Sequence, residues 1–408
     1  MTHGETTPDV LVVGAGNAAL CAALSAREMG AKVLILERAP LAWRGGNTYY
    51  TAGGYRFPFS GLEDILRLAP DLSEAEVAQM QANPYPPEAF YSDLQRLTEG
   101  LCDPGLAQAL VSNAFPTVQW LRQKGVRFVP MWGRQAYKVG GRYRFFGGLV
   151  LEVVGGGAGL SNSLLELAEQ AGIEARYEHR ALRLLADEYG RVRGLTVKTP
   201  AGYTDIPAQA VVLACGGFEA NAEWRVRYLG PDWDLAKVRG TPYNTGDGLR
   251  MALEMGAQPF GHWSSCHAVA WDVNAPPYGD RKIGDLFQKH SYPLGIIVNI
   301  YGQRFVDEGA DYRNYTYVKY GREVLKQPGR VAFQVFDSKV MPLLRDEYRI
   351  PQATKAEAST IEELGERLGI DPDGLAKTVR EFNAAVQSGE FNPAVLDGKR
   401  TRGVTPPK

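Results

Sequence analysis

Gly14, Ala15, Gly16, Asn17, Ala18 and Ala19 follow an apolar run at residues 9–13 and open a stretch of small residues. This order suits a bound diphosphate. Gly14 permits a tight turn, Gly16 lets backbone approach a pyrophosphate, and Ala19 lets the following helix pack closely on the strand. The start of that helix would meet the diphosphate with its unpaired N–H groups. A second apolar run at residues 32–36 ends at Glu37, an acid placed to accept hydrogen bonds from a ribose. Such a turn fits a nicotinamide or a flavin dinucleotide. Residues 45–54, GGNTYYTAGG, favour the flavin, because their closely spaced glycines expose N–H groups able to hold phosphate and the ring atoms of a flavin.

The elements that must position these residues follow from pattern and punctuation. Residues 18–29 read as a helix, and residues 38–55, rich in glycine and aromatics, as a functional loop. Asp103 and Pro104 start a helix that stops at Gly125, and residues 126–144 look irregular or strand-like. Gly155, Gly156, Gly157, Ala158 and Gly159 precede a helix at 160–170. Alternating apolar residues over 173–207, with a turn at Glu188, Tyr189 and Gly190, suggest a three-stranded meander, followed by a buried strand at 210–214. Beyond residue 262 aromatic-rich loops mix with short strands at 295–299 and 331–336. A capping box at Thr360 and Glu363 starts a helix ending at Gly369, and Asp371 and Pro372 start the last one.

The fold expected is α/β, a Rossmann-like dinucleotide-binding domain over residues 1–261 and a second domain over 262–408. With 408 residues the chain can bury a substantial core, and a net charge of −1 argues against nucleic acid or an anionic membrane as the main partner. Cys21, Cys102, Cys215 and Cys266 are widely scattered and form no metal-ligating pair, which suits a reduced cytoplasm. The first eight residues carry no apolar core like that of a signal peptide, and no run of about eighteen apolar residues occurs.

Taken together, residues 45–54, the run Val212, Leu213, Ala214, Cys215, Gly216 and Gly217, and the run Asn244, Thr245, Gly246, Asp247 and Gly248 resemble the flavoprotein subunits of the fumarate reductase and succinate dehydrogenase family. The resemblance implies an FAD-binding domain of the glutathione-reductase type with an inserted α+β capping domain. By that resemblance Gly14, Gly16, Ala18, Glu37 and Arg38 hold the pyrophosphate and adenosine ribose. Gly45, Gly46, Asn47, Thr48, Gly53 and Gly54 would line the isoalloxazine and pyrophosphate; Ala181, Ala214 and Gly216 would approach the adenosine, with Asp247 a further contact. Members with covalent flavin have a histidine where Asn47 stands, so noncovalent FAD is expected.

The family's proton-handling arginine follows a segment that here reads Gly302, Gln303, Arg304, Phe305, Val306, Asp307 and Glu308. With a one-residue insertion it falls on Arg313, and that insertion looks like the tricarballylate dehydrogenase branch. On residue type alone Arg313 would be a surface partner of Asp307 or Asp311. His267 matches a histidine that binds a substrate carboxylate, with His262 a competing choice. Gln288, Lys289, His290 and Ser291 replace the family's proton relay, which argues against fumarate as substrate. The expected reaction is oxidation of tricarballylate to cis-aconitate. Ketosteroid dehydrogenases of the family use a tyrosine, for which Tyr312 and Tyr315 are candidates, and a related flavoprotein acts in cobalamin-ring biosynthesis. The resemblance also implies an iron–sulfur or haem-bearing membrane protein as electron partner, which would bring the cytoplasmic chain to the inner membrane face. The family's closing strand and returning glycine-rich helix are not found between Val331 and Lys408. The chain therefore reads as a C-terminally shortened member, active or a noncatalytic remnant.

Overall fold

The computed structural model describes residues 7–408, so the expectation for the first residues lies mostly outside them. At its centre Val10–Val13 pairs in parallel with Val33–Leu36 on one side and with Ala210–Leu213 on the other. Glu174–Arg176 adds a fourth parallel strand beside Val33–Leu36. Both faces of a parallel strand are covered, so such strands read as continuous apolar runs. Leu11, Val12, Leu34 and Ile35 are accordingly buried. Each contributes about 1.5–3 kcal/mol.

The helix Asn17–Glu28 crosses between the first two strands and buries Ala19, Leu20, Ala23 and Leu24. Its small residues let it lie close to the sheet while Gly156–Gln170 packs on its other side. The expected meander is present as Arg180–Ala186, Val192–Thr199 and Gly202–Pro207, paired in that order. Residues 174–176 leave it, joining the parallel sheet instead.

Asp103 accepts the Leu106 N–H and starts the helix Pro104–Gln123 as its sequence predicts. Thr360 accepts the Glu363 N–H, but the Glu363 carboxylate takes the N–H of Ser359 rather than that of Thr360, so only half of the expected box forms. Short helices at Leu62–Leu68, Glu74–Gln79 and Pro87–Leu97 were not signalled by periodicity.

Past residue 262, Ile296–Val298 pairs with Phe333–Val335, and the helices Ile361–Leu368 and Pro372–Ala385 cover this small sheet. Arg304 and Glu308 form an ion pair that is almost wholly buried. Glu308 also accepts the Ile297 N–H at 2.7 Å, and Arg304 donates to the Pro406 carbonyl at 2.7 Å. Residues 390–408 lie against this region, with Thr401 bridging Val386 and Lys408 reaching the Gly295 carbonyl. Among the described residues no helix is long and apolar enough to cross a membrane.

A buried pair that also holds backbone is costly to break from one side, by about 3–5 kcal/mol. Glu308→Ala should therefore lower the unfolding free energy by about that amount in a denaturant titration. A loss under about 1 kcal/mol would mean that this pair does not hold the small sheet.

Candidate functional site

Two neighbourhoods gather the sequence-predicted residues. The first is a cavity of about 400 Å³ at the ends of the central strands, lined by Gly14, Gly16, Ala18, Glu37, Arg38, Gly46, Asn47, Thr48, Ala181, Ala214, Gly216 and Asp247. Gly14 has φ +111°, and a Cβ there would lie 2.5 Å from the Ala214 carbonyl oxygen. The turn is therefore open only to glycine. The helix behind it starts at Gly16 with no side-chain cap, which leaves its positive end turned to the cavity. Thr48 accepts the Asn17 N–H at 3.0 Å and ties the second loop to this turn.

Glu37 is buried, and its carboxylate accepts N–H groups from Ala15 and Ala39, each at 2.8 Å. Burial raises its pKa although these N–H groups favour the anion. Asp247 accepts from Arg180 and Arg38 at 2.9 Å. Burial alone would raise its pKa, but the two guanidiniums outweigh it and hold the carboxyl below its ordinary value. Trp43, Arg180, Thr241 and Tyr243 also line it and had no signal in the sequence.

Three of the expected contacts stand outside this lining. Gly45 has φ +101° and backs onto Ser161, Gly53 has φ +70° and packs on Gly156, and Gly54 faces Met131 and Leu149. At Gly53 a Cβ would come within 2.6 Å of the Gly156 carbonyl carbon, so close packing is what requires glycine there. The loop's exposed N–H groups explain only part of its glycine content.

The second neighbourhood is a cluster of cations. Arg134, on the short helix Trp132–Gln135, pairs with Asp285 at 2.5 Å, and Arg239 pairs with the other oxygen of Asp285 at 2.8 Å. The Arg134 carbonyl accepts a short hydrogen bond from Arg313 and a longer one, 3.3 Å, from Arg345. Arg345 in turn pairs with Glu347 at 3.2 Å. Arg313 is buried at the first position of the helix Arg313–Leu325 and, among the described residues, has no carboxylate within 4 Å. Asp311 pairs with Arg96 and Asp307 with Lys399, so neither is the surface partner that residue type alone suggested. Burial, then the charge of Arg345, brings the Arg313 pKa down to about 10.

His267 joins the same cluster, while His262 bonds Ser264 elsewhere. The His267 ring meets the Tyr317 hydroxyl at 2.6 Å, and His290 packs on the other side of Tyr317 at 4.7 Å between ring centroids. His267 keeps solvent contact although protein surrounds most of its ring. Loss of hydration, then Arg239, lowers its pKa to about 4, so the ring is neutral at pH 7. His290 is buried and neutral for the same first reason, reinforced by Arg313, Arg345, Arg239 and Arg134. Tyr312 donates to the Ala394 carbonyl and Tyr315 to Asp93, so the tyrosine that reaches the cluster is Tyr317, which the sequence did not single out.

Such a site combines a glycine-lined cavity at a helix start with a cluster of largely buried guanidiniums and imidazoles. The chain belongs to the FAD binding domain family, which matches residues 9–402, and its cofactor is FAD. The uncapped helix start and the glycine turn on the Ala214 carbonyl fit the ADP part of that cofactor. The chain is 30% identical over 388 residues to a fumarate reductase (cytochrome) of Shewanella frigidimarina, covering 94% of this chain and 62% of that protein. It is 25% identical over 453 residues to a 3-oxosteroid 1-dehydrogenase of Mycobacterium tuberculosis (strain ATCC 25618 / H37Rv), covering 93% and 79%. Among solved structures, the open conformation of a flavocytochrome c3 fumarate reductase superposes with a TM-score of 0.67 at 26% identity, over 94% of this chain and 62% of that one. The chain thus spans about three fifths of the length of that fumarate reductase.

Two outcomes test this geometry. A Cβ on Gly16 would meet only the Thr48 hydroxyl at 3.6 Å and the Gly45 carbonyl at 3.9 Å, so the protein alone accommodates alanine there. Gly16→Ala should keep the melting temperature of the FAD-free protein yet weaken FAD binding at least about tenfold in a fluorescence titration. Unchanged FAD affinity would remove Gly16 from the pyrophosphate site. For His290, the unfolded chain takes up a proton below about pH 6.5 that the folded chain does not. Stability should therefore fall as pH drops below 6.5, by up to about 1.4 kcal/mol per pH unit from this group. His290→Gln should flatten that slope, and an unaltered slope would place the titration elsewhere.

Proposed function

We propose that this protein is an FAD-dependent oxidoreductase acting on a CH–CH bond of a polycarboxylate, with tricarballylate oxidised to cis-aconitate as the preferred reaction. The observation that carries the reading is Arg313: a buried guanidinium that, among the described residues, has no carboxylate within 4 Å and meets Arg345 at the Arg134 carbonyl. A cation so placed awaits an anion, because burying an uncompensated charge is costly. Carboxylates meet guanidiniums in short, charge-assisted pairs.

FAD, when bound, supplies the acceptor for the hydride that leaves one carbon with the bonding electron pair. The neighbouring carbon must lose a proton. Arg313 is the group we assign to take it, after giving its own proton up to solvent; burial and Arg345 bring its pKa down to about 10, which makes that neutral form easier to reach than in a free guanidinium. The carbon–carbon double bond forms from the electrons that the proton leaves behind. His267, neutral and fixed by Tyr317, is suited to hold a substrate carboxylate by one N–H. Asn47 has no nucleophile with which to join a flavin, which supports noncovalent binding. In this reading residues 262–408 form the capping domain over the Rossmann-like part.

The His267–Tyr317 contact favours one second reading, a 3-ketosteroid dehydrogenase in which Tyr317 moves the proton. The excess of guanidiniums has no use against a neutral steroid. The family resemblance further supports an iron–sulfur or haem-bearing membrane protein as electron acceptor, and with it a cytoplasmic chain visiting the inner membrane face.

Anaerobic mixing of the FAD-loaded protein with tricarballylate, succinate and a 3-ketosteroid separates these readings. Tricarballylate should bleach the flavin absorbance, and bleaching by the steroid alone would sink the carboxylate proposal. Arg313→Lys should retain FAD while bleaching slows by at least about a thousandfold. Retained turnover would take Arg313 out of the proton transfer.

A further inference from the structure

We propose that Arg345 and Arg239, joined through Arg134, form a specificity subsite for a carboxylate beyond the two that a succinate-like substrate carries. This inference rests on the polycarboxylate reading above and adds to it the residues that count the carboxylates.

Arg134 is the hub. Its carbonyl receives Arg313 and Arg345, and its guanidinium meets Asp285, which also holds Arg239. Asp285 and Glu347 pair with three of the four guanidiniums and Glu152 acts on Arg134 and Arg345 from the cavity wall, leaving one positive charge in excess. Two guanidiniums donating to one carbonyl are an unfavourable way to hold like charges unless an anion lies against them. Arg134 and Asp285 also border a cavity of about 510 Å³ whose wall carries Arg281 and Lys282. The cluster and this wall together offer more positive charge than a dianion requires.

A second, independent observation points to a ligand. His290 is only 4% exposed, and among the described residues its Nε2 has no hydrogen-bond partner, although the charges of Arg313, Arg345, Arg239 and Arg134 all act on the ring. Buried polar atoms in folded proteins find partners almost without exception. An imidazole N–H and a guanidinium fork are both suited to a carboxylate. Arg345 acts on Arg313 only through its charge, and its own hydrogen bonds go to Glu347 and the Arg134 carbonyl, so it can turn to a ligand without emptying the site.

Calorimetric binding to the FAD-loaded protein tests the subsite, with tricarballylate, succinate and glutarate as probes; glutarate is tricarballylate without its central carboxylate. The wild type should bind tricarballylate at least about tenfold tighter than either dicarboxylate. Arg345→Gln and Arg239→Gln should erase that preference while dicarboxylate affinity stays within about threefold. Arg345→Lys keeps the charge and should retain part of the preference, which separates loss of the subsite from damage to the fold. No preference in the wild type, a preference surviving both glutamine variants, or an equal loss for all three ligands would overturn the subsite. Failure of the oxidation reading is seen separately, as flavin that no carboxylate bleaches while the binding preference stands.

Discussion

The interaction on which the site depends is the meeting of several segments at Arg134, which sit far apart in the chain and carry mostly positive charge. Asp285 lets Arg134 and Arg239 approach each other, and Glu347 does the same for Arg345. Arg313 has no direct ion pair among the described residues and feels Glu347 only at longer range. It also stands at the first position of a thirteen-residue helix, where the helix dipole is positive and a cation is disfavoured. Two like charges about 6 Å apart repel by about 3 kcal/mol even at an effective dielectric of 20. The folded protein tolerates this arrangement because hydrogen bonds to carbonyls solvate the guanidiniums and two acids balance part of the charge. What remains is an electrostatic preference for an anion built into the resting structure.

The ADP end works by shape. Its requirement is that backbone come close to backbone: Gly14 against Ala214, Gly46 against Gly16, Gly53 against Gly156. Strand pairing of Val10–Val13 with both neighbours fixes the turn, and Thr48 fastens the second loop to the helix start. The same rigid frame carries Gly156–Gln170, which contacts both the Gly46–Tyr50 turn and the helix Asn17–Glu28. The cofactor end can therefore form without reference to the charges at the cation cluster. The two ends are joined by the loop at residues 45–54, whose Gly46, Asn47 and Thr48 line one cavity and whose Tyr49, Thr51 and Ala52 line the other.

Much of the cofactor end was legible in the sequence because its determinants are local. An apolar strand, a glycine turn, a small-residue helix and an acid lie within thirty residues, and each element's requirement shows in its own composition. The meander was legible for the same reason, through alternation and turns. Gly45, Gly53 and Gly54 show the limit of that logic, since a glycine needed for helix packing looks the same as one needed for a ligand. The cation cluster was legible only at Arg313 and His267, and there through resemblance. Arg134, Arg239 and Arg345 carry no spacing signal, because the contacts that unite them come from five separate segments. Tyr317 lies on the same helix as Tyr315, with Tyr312 just before its first residue, and only the helix's placement decides which one meets His267.

The segment from Gly302 to Glu308 links these two kinds of information. Its side chains do no chemistry in this structure: Arg304 and Glu308 bury their charges against each other, the Ile297 N–H and the Pro406 carbonyl. Gly302 takes φ +69° where a Cβ would lie 2.3 Å from the Leu375 nitrogen, so it too serves packing. The brace nevertheless fixes where the chain turns into the helix that begins at Arg313, and Tyr292 holds that helix start by donating to the Arg313 carbonyl at 3.2 Å. A buried ion pair is weak evidence for stability but can specify one arrangement among several. Here the arrangement it specifies places one guanidinium against the Arg134 carbonyl and away from Asp307 and Asp311. A motif that reads in sequence as a signpost to a reacting arginine is, physically, the clamp that denies that arginine a carboxylate of its own.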